Sequence, residues 1–242
     1  MIITGITLSG VGYVKDTPPI ITTNLVANYD AATGIFGSTF TDSSPNAYNA
    51  TLYGSPTTAT VNGTTVLQLS SASSQYFGYT AGYGTTLNNG FTFDIWCRNL
   101  SASTAGTLIA EWDVGTFNGG WTDAQIGFIS SSINAGVYNL GGTIAQTGWS
   151  SSSWYHVVMT YDLTTVRTYV NGVAGGTIVG TKSNPSATYL TMGKPDGTSG
   201  SYIGGVANYF NGYVGTWKIY NAALTAPQVT QNFNGLRSRY GV

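Results

Sequence analysis

The chain is expected to fold as an all-β protein, a two-sheet antiparallel sandwich, with one short helix near its C-terminal end and an extended N-terminal arm. Three observations point there. Short runs rich in aromatic and β-branched residues recur along the sequence, clusters of Gly, Ser, Asn and Pro separate them, and a single segment carries the signature of a helix.

The first 22 residues stand apart. Ile2 to Val14 is a short alternating apolar segment, and Lys15-Asp-Thr-Pro-Pro19 follows, where two prolines break any ladder and stiffen the exit. Residues 1–22 therefore read as an arm and linker, with Ile2, Ile3, Ile6, Leu8, Val11 and Tyr13 as its contact positions, and residues 23–242 as one domain. The arm lacks a basic start, and Thr and Gly interrupt it, so it makes a poor signal peptide.

Within the domain the strongest strand signals are Phe91–Trp96, Trp154–Tyr161 and Val166–Val170. Asn171-Gly172 directly after the last of these predicts a type I′ hairpin, because both turn positions need positive φ. Further short runs fall at 107–112, 125–129, 135–140, 189–192 and 213–220, with turn residues between them and no alternation with helices. The helix signal is detailed. Thr225 and Gln228 form a capping box, Leu224 and Val229 occupy staple positions, Val229 and Phe233 share a face, and Gly235 falls where the helix should stop.

Composition restricts the function. Only 7% of the 242 residues are charged and the net charge is −1, whereas Thr, Ser, Asn and Gly together supply 110 residues. Hydroxyls and amides build the polar surface. The basic residues are scattered, which removes the basis for counterion-release binding to nucleic acid or anionic membranes, and no apolar run approaches the ~18 residues of a membrane span. With 17 Tyr, 9 Phe and 6 Trp the chain has ample apolar area to bury. The single cysteine, Cys97, forbids an internal disulfide and reads as a small buried hydrophobe. His156 lies within a strand signal, with no nucleophile or carboxylate arranged beside it in sequence, and reads as a structural side chain. The glycine-rich stretches at 115–120 and 197–205 lack the Lys-Ser/Thr ending of a phosphate loop.

Phe91-Thr-Phe-Asp-Ile-Trp96, Trp154-Tyr-His-Val-Val-Met-Thr-Tyr-Asp162, Thr168-Tyr-Val-Asn-Gly172, Tyr189-Leu-Thr-Met-Gly193 and Phe210–Thr225 together resemble the laminin G-like, concanavalin A-like jelly roll, in the family's order. Asn24–Ala31 and Thr41–Gly54 are similar to that fold's opening strand and following loop. Thr230–Gly241, with Tyr29-Asp-Ala31, resembles the subgroup found in virion proteins of tailed phages.

The resemblance implies a jelly-roll sandwich and raises two chemistries. Related glucanases use Glu-x-Asp followed closely by a second Glu, so that two acids flank one glycosidic bond. Here Glu111-Trp-Asp113 has no following partner, and Glu111 is the only glutamate, so no catalytic residues and no enzymatic activity are expected. Many relatives carry a rim calcium, which takes six to eight oxygens. The weak calcium candidates Asp30 and Asp42 stand singly and suit turn capping, and Gly215-Thr216 stands where relatives place acidic residues, so no cofactor beyond a possible calcium is expected.

Aromatic rings in glycine- and serine-rich loops could stack on sugar C–H faces, and Trp121, Trp149, Tyr79, Tyr83, Tyr202 and Tyr209 are the carbohydrate-binding candidates. The expected function is a non-enzymatic surface protein of a tailed-phage virion, a capsid decoration or tail-associated module, located on the particle surface. Its arm would engage other virion proteins or further copies in a homo-oligomer by strand addition. The alternatives are a carbohydrate-binding module or adhesin recognising cell-surface glycans and, more remotely, a glycan hydrolase. Neither nucleic acid nor membrane insertion is expected.

Overall fold

A computed structural model describes residues 17–101, 106–112, 117, 122–137, 140–182, 189–195 and 208–242. The arm positions Ile2, Ile3, Ile6, Leu8, Val11 and Tyr13 lie outside these, as do Trp121, Tyr202 and Asp113.

In chain order the strands begin with β1 (Leu25–Asp30), β2 (Ile35–Phe36), β3 (Thr39–Phe40), β4 (Ala50–Tyr53), β5 (Thr57–Val61) and β6 (Thr64–Leu69). They continue with β7 (Tyr76–Gly78), β8 (Phe91–Asn99), β9 (Gly106–Trp112), β10 (Thr122–Ile129), β11 (Ser132–Val137) and β12 (Gly141–Thr147). The last are β13 (Tyr155–Tyr161), β14 (Thr165–Val170), β15 (Val173–Val179), β16 (Tyr189–Met192) and β17 (Gly212–Tyr220), before helix α1 (Ala226–Tyr240). Two antiparallel sheets form. The first runs β15-β14-β13-β8-β17-β6-β5, with β1 also on β17, and the second runs β12-β11-β10-β9-β16-β7-β4-β3-β2. This is the jelly-roll sandwich that the sequence resemblance implies.

Alternation sets the inner face. In β8, Phe91, Phe93, Ile95 and Cys97 enter the central core, while Thr92, Asp94, Trp96 and Arg98 point the other way. In β17, Trp217 and Ile219 face the same core and meet Phe77 and Leu52 from the second sheet. Burial pushes the Cys97 thiol up, so it stays protonated and behaves as the expected hydrophobe.

One side of the sandwich closes unusually tightly, where β15 meets β12. A side chain on Gly175 would overlap the Ala145 carbonyl, and one on Gly176 would overlap the Thr143 hydroxyl. The paired glycines let the two sheet margins approach backbone to backbone.

Helix α1 lies across the outer face of the first sheet. Its start matches expectation: the Gln228 side-chain oxygen accepts from the Thr225 N–H at 2.9 Å, and Leu224 and Val229 pack together with Tyr220. Its end does not. The helix continues through Gly235 to Tyr240 and stops at Gly241, whose φ is 72°. Gly235 is small for a different reason, because a Cβ there would sit 2.7 Å from the Pro18 carbonyl oxygen. Residues 18–22, read from sequence as linker, run along the helix, and Ile21 donates its N–H to the Asn232 side chain at 2.7 Å.

Beneath the helix lies a buried polar cluster. Asp94 Oδ1 is 3.1 Å from His156 Nε2 and 3.5 Å from Lys218 Nζ, and Oδ2 accepts from Asn232 Nδ2 at 2.8 Å. Asn232 also donates to the Tyr220 hydroxyl, which in turn donates to the Ile21 carbonyl. His156 packs beside Trp96 and Phe233, with ring centres 5.1 and 6.0 Å away. Burial acts to raise the Asp94 pKa, but the electrostatic attraction of His156 and Lys218 and the hydrogen bonds from His156 and Asn232 outweigh it and hold the carboxyl well below the usual range.

Two outcomes follow. Replacing Asp94 by Ala leaves Lys218 buried without its counter-charge and is expected to lower unfolding free energy by about 3–5 kcal/mol in urea titrations at neutral pH. Because the folded-state pKa of Asp94 lies below its unfolded value, its stabilisation is complete above the ordinary carboxylate pKa and lost as pH falls through that range toward the lower folded value. Urea midpoints measured from pH 7 to 2 should therefore fall more steeply in the wild type than in Asp94→Asn; parallel curves would exclude Asp94 as the titrating group.

Candidate functional site: a tyrosine face on the second sheet

The outer face of the second sheet differs from that of the first because no helix of the described residues lies on it. In β4, β7 and β16 the core positions are Leu52, Phe77, Leu190 and Met192, so strand alternation turns Tyr53, Tyr76 and Tyr189 outward. Tyr53 and Tyr76 are directly opposed across β4 and β7, and their rings stack with centres 4.5 Å apart and planes within 8°. Tyr209, bridged to Thr107, brings its ring to 6.1 Å from Tyr76. All four tyrosines are partly exposed.

The floor between them is buried. Trp112 donates its indole N–H to the Thr191 hydroxyl at 2.9 Å. The Phe117 ring stands edge-on to Tyr53 and Tyr76, seated over Gly78, where an added Cβ would come within 2.9 Å of both that ring and the Leu190 carbonyl oxygen. Lys194 lays its ammonium over the Tyr76 and Trp112 rings at 5.0 and 5.6 Å. Burial lowers the Lys194 pKa, and burial together with Tyr53 and Tyr209 pushes the Tyr76 hydroxyl up to about 12. The tyrosine hydroxyl stays neutral at physiological pH and serves as both donor and acceptor. Aromatic rings fringed by neutral hydroxyls are the chemistry that holds an uncharged sugar.

The sequence-selected aromatics divide. Tyr209 joins this face. Tyr83 is 2% exposed and its hydroxyl lies 2.9 Å from that of Tyr29, so it belongs to the core. Tyr79 stacks on Tyr48 at 5.0 Å beside that same pair. Trp149 packs edge-on against Phe128 at 4.9 Å, far along the sheet on the loop after β12. Trp121 and Tyr202 lie outside the described residues. Loop composition does not point to Tyr53, Tyr76 and Tyr189; the signal that does is an aromatic alternating with an aliphatic or Phe within a short strand.

The acids are otherwise engaged. Glu111 alternates toward the interior, is 3% exposed, and forms an ion pair with Lys182 at 2.6 Å. Asp42 accepts from the Asn28, Ser44 and Tyr48 N–H groups and the Ser44 hydroxyl, and so ties the loop that follows β3. Asp30 accepts from the Ala32 N–H and from Arg239 at 2.6 Å. These two calcium candidates are turn and helix anchors, with oxygens directed at protein donors. Among the described residues no three His, Cys, Asp or Glu side chains gather as a metal site.

Residues 62–230 match the family described as the concanavalin A-like lectin/glucanases superfamily. The chain belongs to this superfamily. No curated protein sequence matches it. Solved structures share the fold at low identity. Domain 4 of AbnA, an extracellular GH43 arabinanase of Geobacillus stearothermophilus in complex with arabinotriose, is 15% identical with a TM-score of 0.62, over 86% of this chain and 98% of that one. Trypanosoma rangeli sialidase is 16% identical with a TM-score of 0.66, over 90% of this chain but 34% of the sialidase. The binding domain of botulinum neurotoxin DC in complex with SialylT is 16% identical with a TM-score of 0.62, over 89% of this chain and 52% of that one. The superfamily member described here thus matches one complete domain and only parts of the larger proteins.

The seat of Phe117 is open to test. Gly78→Ala should displace that ring, lower stability by about 1–3 kcal/mol and reduce the near-ultraviolet circular dichroism of the aromatic face. An unchanged spectrum and melting curve would show that Gly78 is not the constraint.

Proposed function

We propose that this protein is a non-enzymatic, glycan-binding jelly roll that grips neutral sugar through the tyrosine face of its second sheet. The observation that carries the reading is the cluster of Tyr53, Tyr76, Tyr189 and Tyr209 around a buried Trp112 and Phe117, partly exposed on a sheet face left uncovered by the helix. Similar structures bound to arabinotriose and to SialylT support a carbohydrate ligand for the fold. The inward orientation of Glu111 and its pairing with Lys182 support binding without hydrolysis, since a glycosidase needs two carboxyls facing one bond.

A glycan array read with and without calcium tests it. Signal on neutral glycans that falls about tenfold or more in Tyr53→Ala and in Tyr76→Ala is expected, at the 1–3 kcal/mol scale of a lost stacking ring. A silent array, or signal indifferent to both substitutions, would overturn the reading.

The setting we propose is the surface of a tailed-phage virion, as a capsid decoration or tail-associated module. Its support is the likeness of Thr230–Gly241 and Tyr29–Ala31 to that subgroup, together with β5, a Thr-rich strand at the margin of the first sheet, whose outer edge no strand of the described residues pairs and which could take an incoming strand. The arm of one copy would add there or to a neighbouring virion protein. Deleting residues 1–16, which leaves Pro18–Ile21 on the helix, should abolish particle incorporation or self-association while the sandwich stays folded. Unchanged incorporation would contradict this setting.

A further inference from the structure

A second cleft lies on the opposite sheet, beside the end of α1, with a volume of about 520 Å³. That is within the range of about 300–1,000 Å³ typical of small-ligand sites. Five separate parts of the chain meet there: the Asn62-Gly63 turn between β5 and β6, Arg98 from the outer face of β8, the Ser152–Tyr155 segment, Asn171 of the β14–β15 turn, and Tyr240-Gly241-Val242 at the end of α1. Both turns are tight two-residue hairpin turns with left-handed backbone, φ being 50° at Asn62 and 52° at Asn171. The base is aromatic, with Trp154 and Tyr240 packed at 4.6 Å between ring centres.

Arg98 gives the cleft its character. Its Nε donates to the Ser151 carbonyl at 2.9 Å, which fixes the guanidinium and leaves the Nη groups for a ligand. Among the described residues, Arg167, Lys182, Lys218 and Arg239 each have a carboxylate partner, and no carboxylate side chain lies within ion-pair distance of Arg98. No acidic side chain lines the cleft. The other lining side chains are the Ser152 and Ser153 hydroxyls, the Asn62 and Asn171 amides, the Trp154, Tyr155 and Tyr240 rings and Val242, and Asn171 already uses its side-chain oxygen on the His156 N–H.

We propose that this cleft is a second ligand site that takes a small sugar acid, a hexuronate, with the carboxylate on Arg98 and ring hydroxyls on Ser152, Ser153 and the Asn62 amide. A single planar guanidinium matches one carboxylate in a two-pronged hydrogen bond. The neutral polar rim suits hydroxyls, and one fixed cation suits a singly charged ligand. The site is independent of the tyrosine face, which lies on the other sheet and carries no role in it.

Titration of the labelled full chain with glucuronate and, separately, with glucose, followed through backbone amide resonances, tests the proposal. Glucuronate should shift the amides of Asn62, Ser152 and Ser153, and glucose should not. In Arg98→Gln the affinity should weaken about tenfold or more, with Arg98→Lys between the two. Ser153→Trp, on an exposed loop, should block the cleft whatever the folding of the Arg98 variants. Tyr76→Ala should bind glucuronate as the wild type does, so that failure here and failure of the tyrosine-face reading are told apart. No shift with glucuronate, equal shifts with glucose, or affinity unchanged in both a folded Arg98→Gln and Ser153→Trp would overturn it.

Discussion

Asp94 sits in the middle strand of the first sheet with no exposed surface, and every donor that keeps its charge tolerable comes from a different element. His156 reaches it from β13, Lys218 from β17 and Asn232 from α1. Asn232 carries the connection outward to Tyr220 and the Ile21 backbone. A buried ion pair of this kind adds little net stability over a hydrophobic substitute, but removing one member leaves a charge stranded in a low-dielectric interior. Its effect is one of placement. The helix can rest on the sheet only where Asn232 meets Asp94, and the chain entering β1 is held to the same spot.

That constraint makes the two outer faces unequal. On the first sheet the helix covers Trp96, His156, Val158 and Tyr220, with the cleft at its end. On the second sheet β4, β7, β9 and β16 each carry an outward aromatic, Tyr53, Tyr76, Trp112 and Tyr189, and the three tyrosines stay partly exposed. A chain with so few charges has little electrostatic means of choosing partners, so recognition falls to ring faces, hydroxyls and backbone edges. The superfamily's sandwich supplies the rigid support, and the particular chemistry depends on which side chains the outward positions carry.

The central strands were legible because burial on both faces demands continuous apolar and β-branched runs: β8, β13 and β17 are covered by the core on one side and the helix on the other. The marginal strands were not. Thr57–Val61, Gly141–Thr147 and Val173–Val179 are rich in Thr and Gly and largely exposed, so they read as loop until a neighbour pairs with them. In the sequence Gly235 looks like a stop signal because glycine at a helix end usually adopts positive φ, whereas in the fold it makes room for the Pro18 backbone. The candidate site was the least legible part. Loop composition drew attention to Tyr79, Tyr83 and Trp149, which pack into or against the core, while the ring pair formed by Tyr53 and Tyr76 depends on a pairing register joining strands more than 20 residues apart. Tyr209 was found for a local reason and placed by a non-local one, its bridge to Thr107.

The surface directly beneath the helix is closed, and under the proposed function the tyrosine face is the one that meets a neutral glycan. The most direct measurement is a nuclear magnetic resonance titration of tyrosine-ring-labelled protein with a neutral oligosaccharide selected on the array. The rings of Tyr53, Tyr76, Tyr189 and Tyr209 should shift together with one saturation curve, while Tyr169 and Tyr220 beneath the helix stay fixed. Shifts at Tyr169 and Tyr220 with the four outward rings unmoved would contradict it.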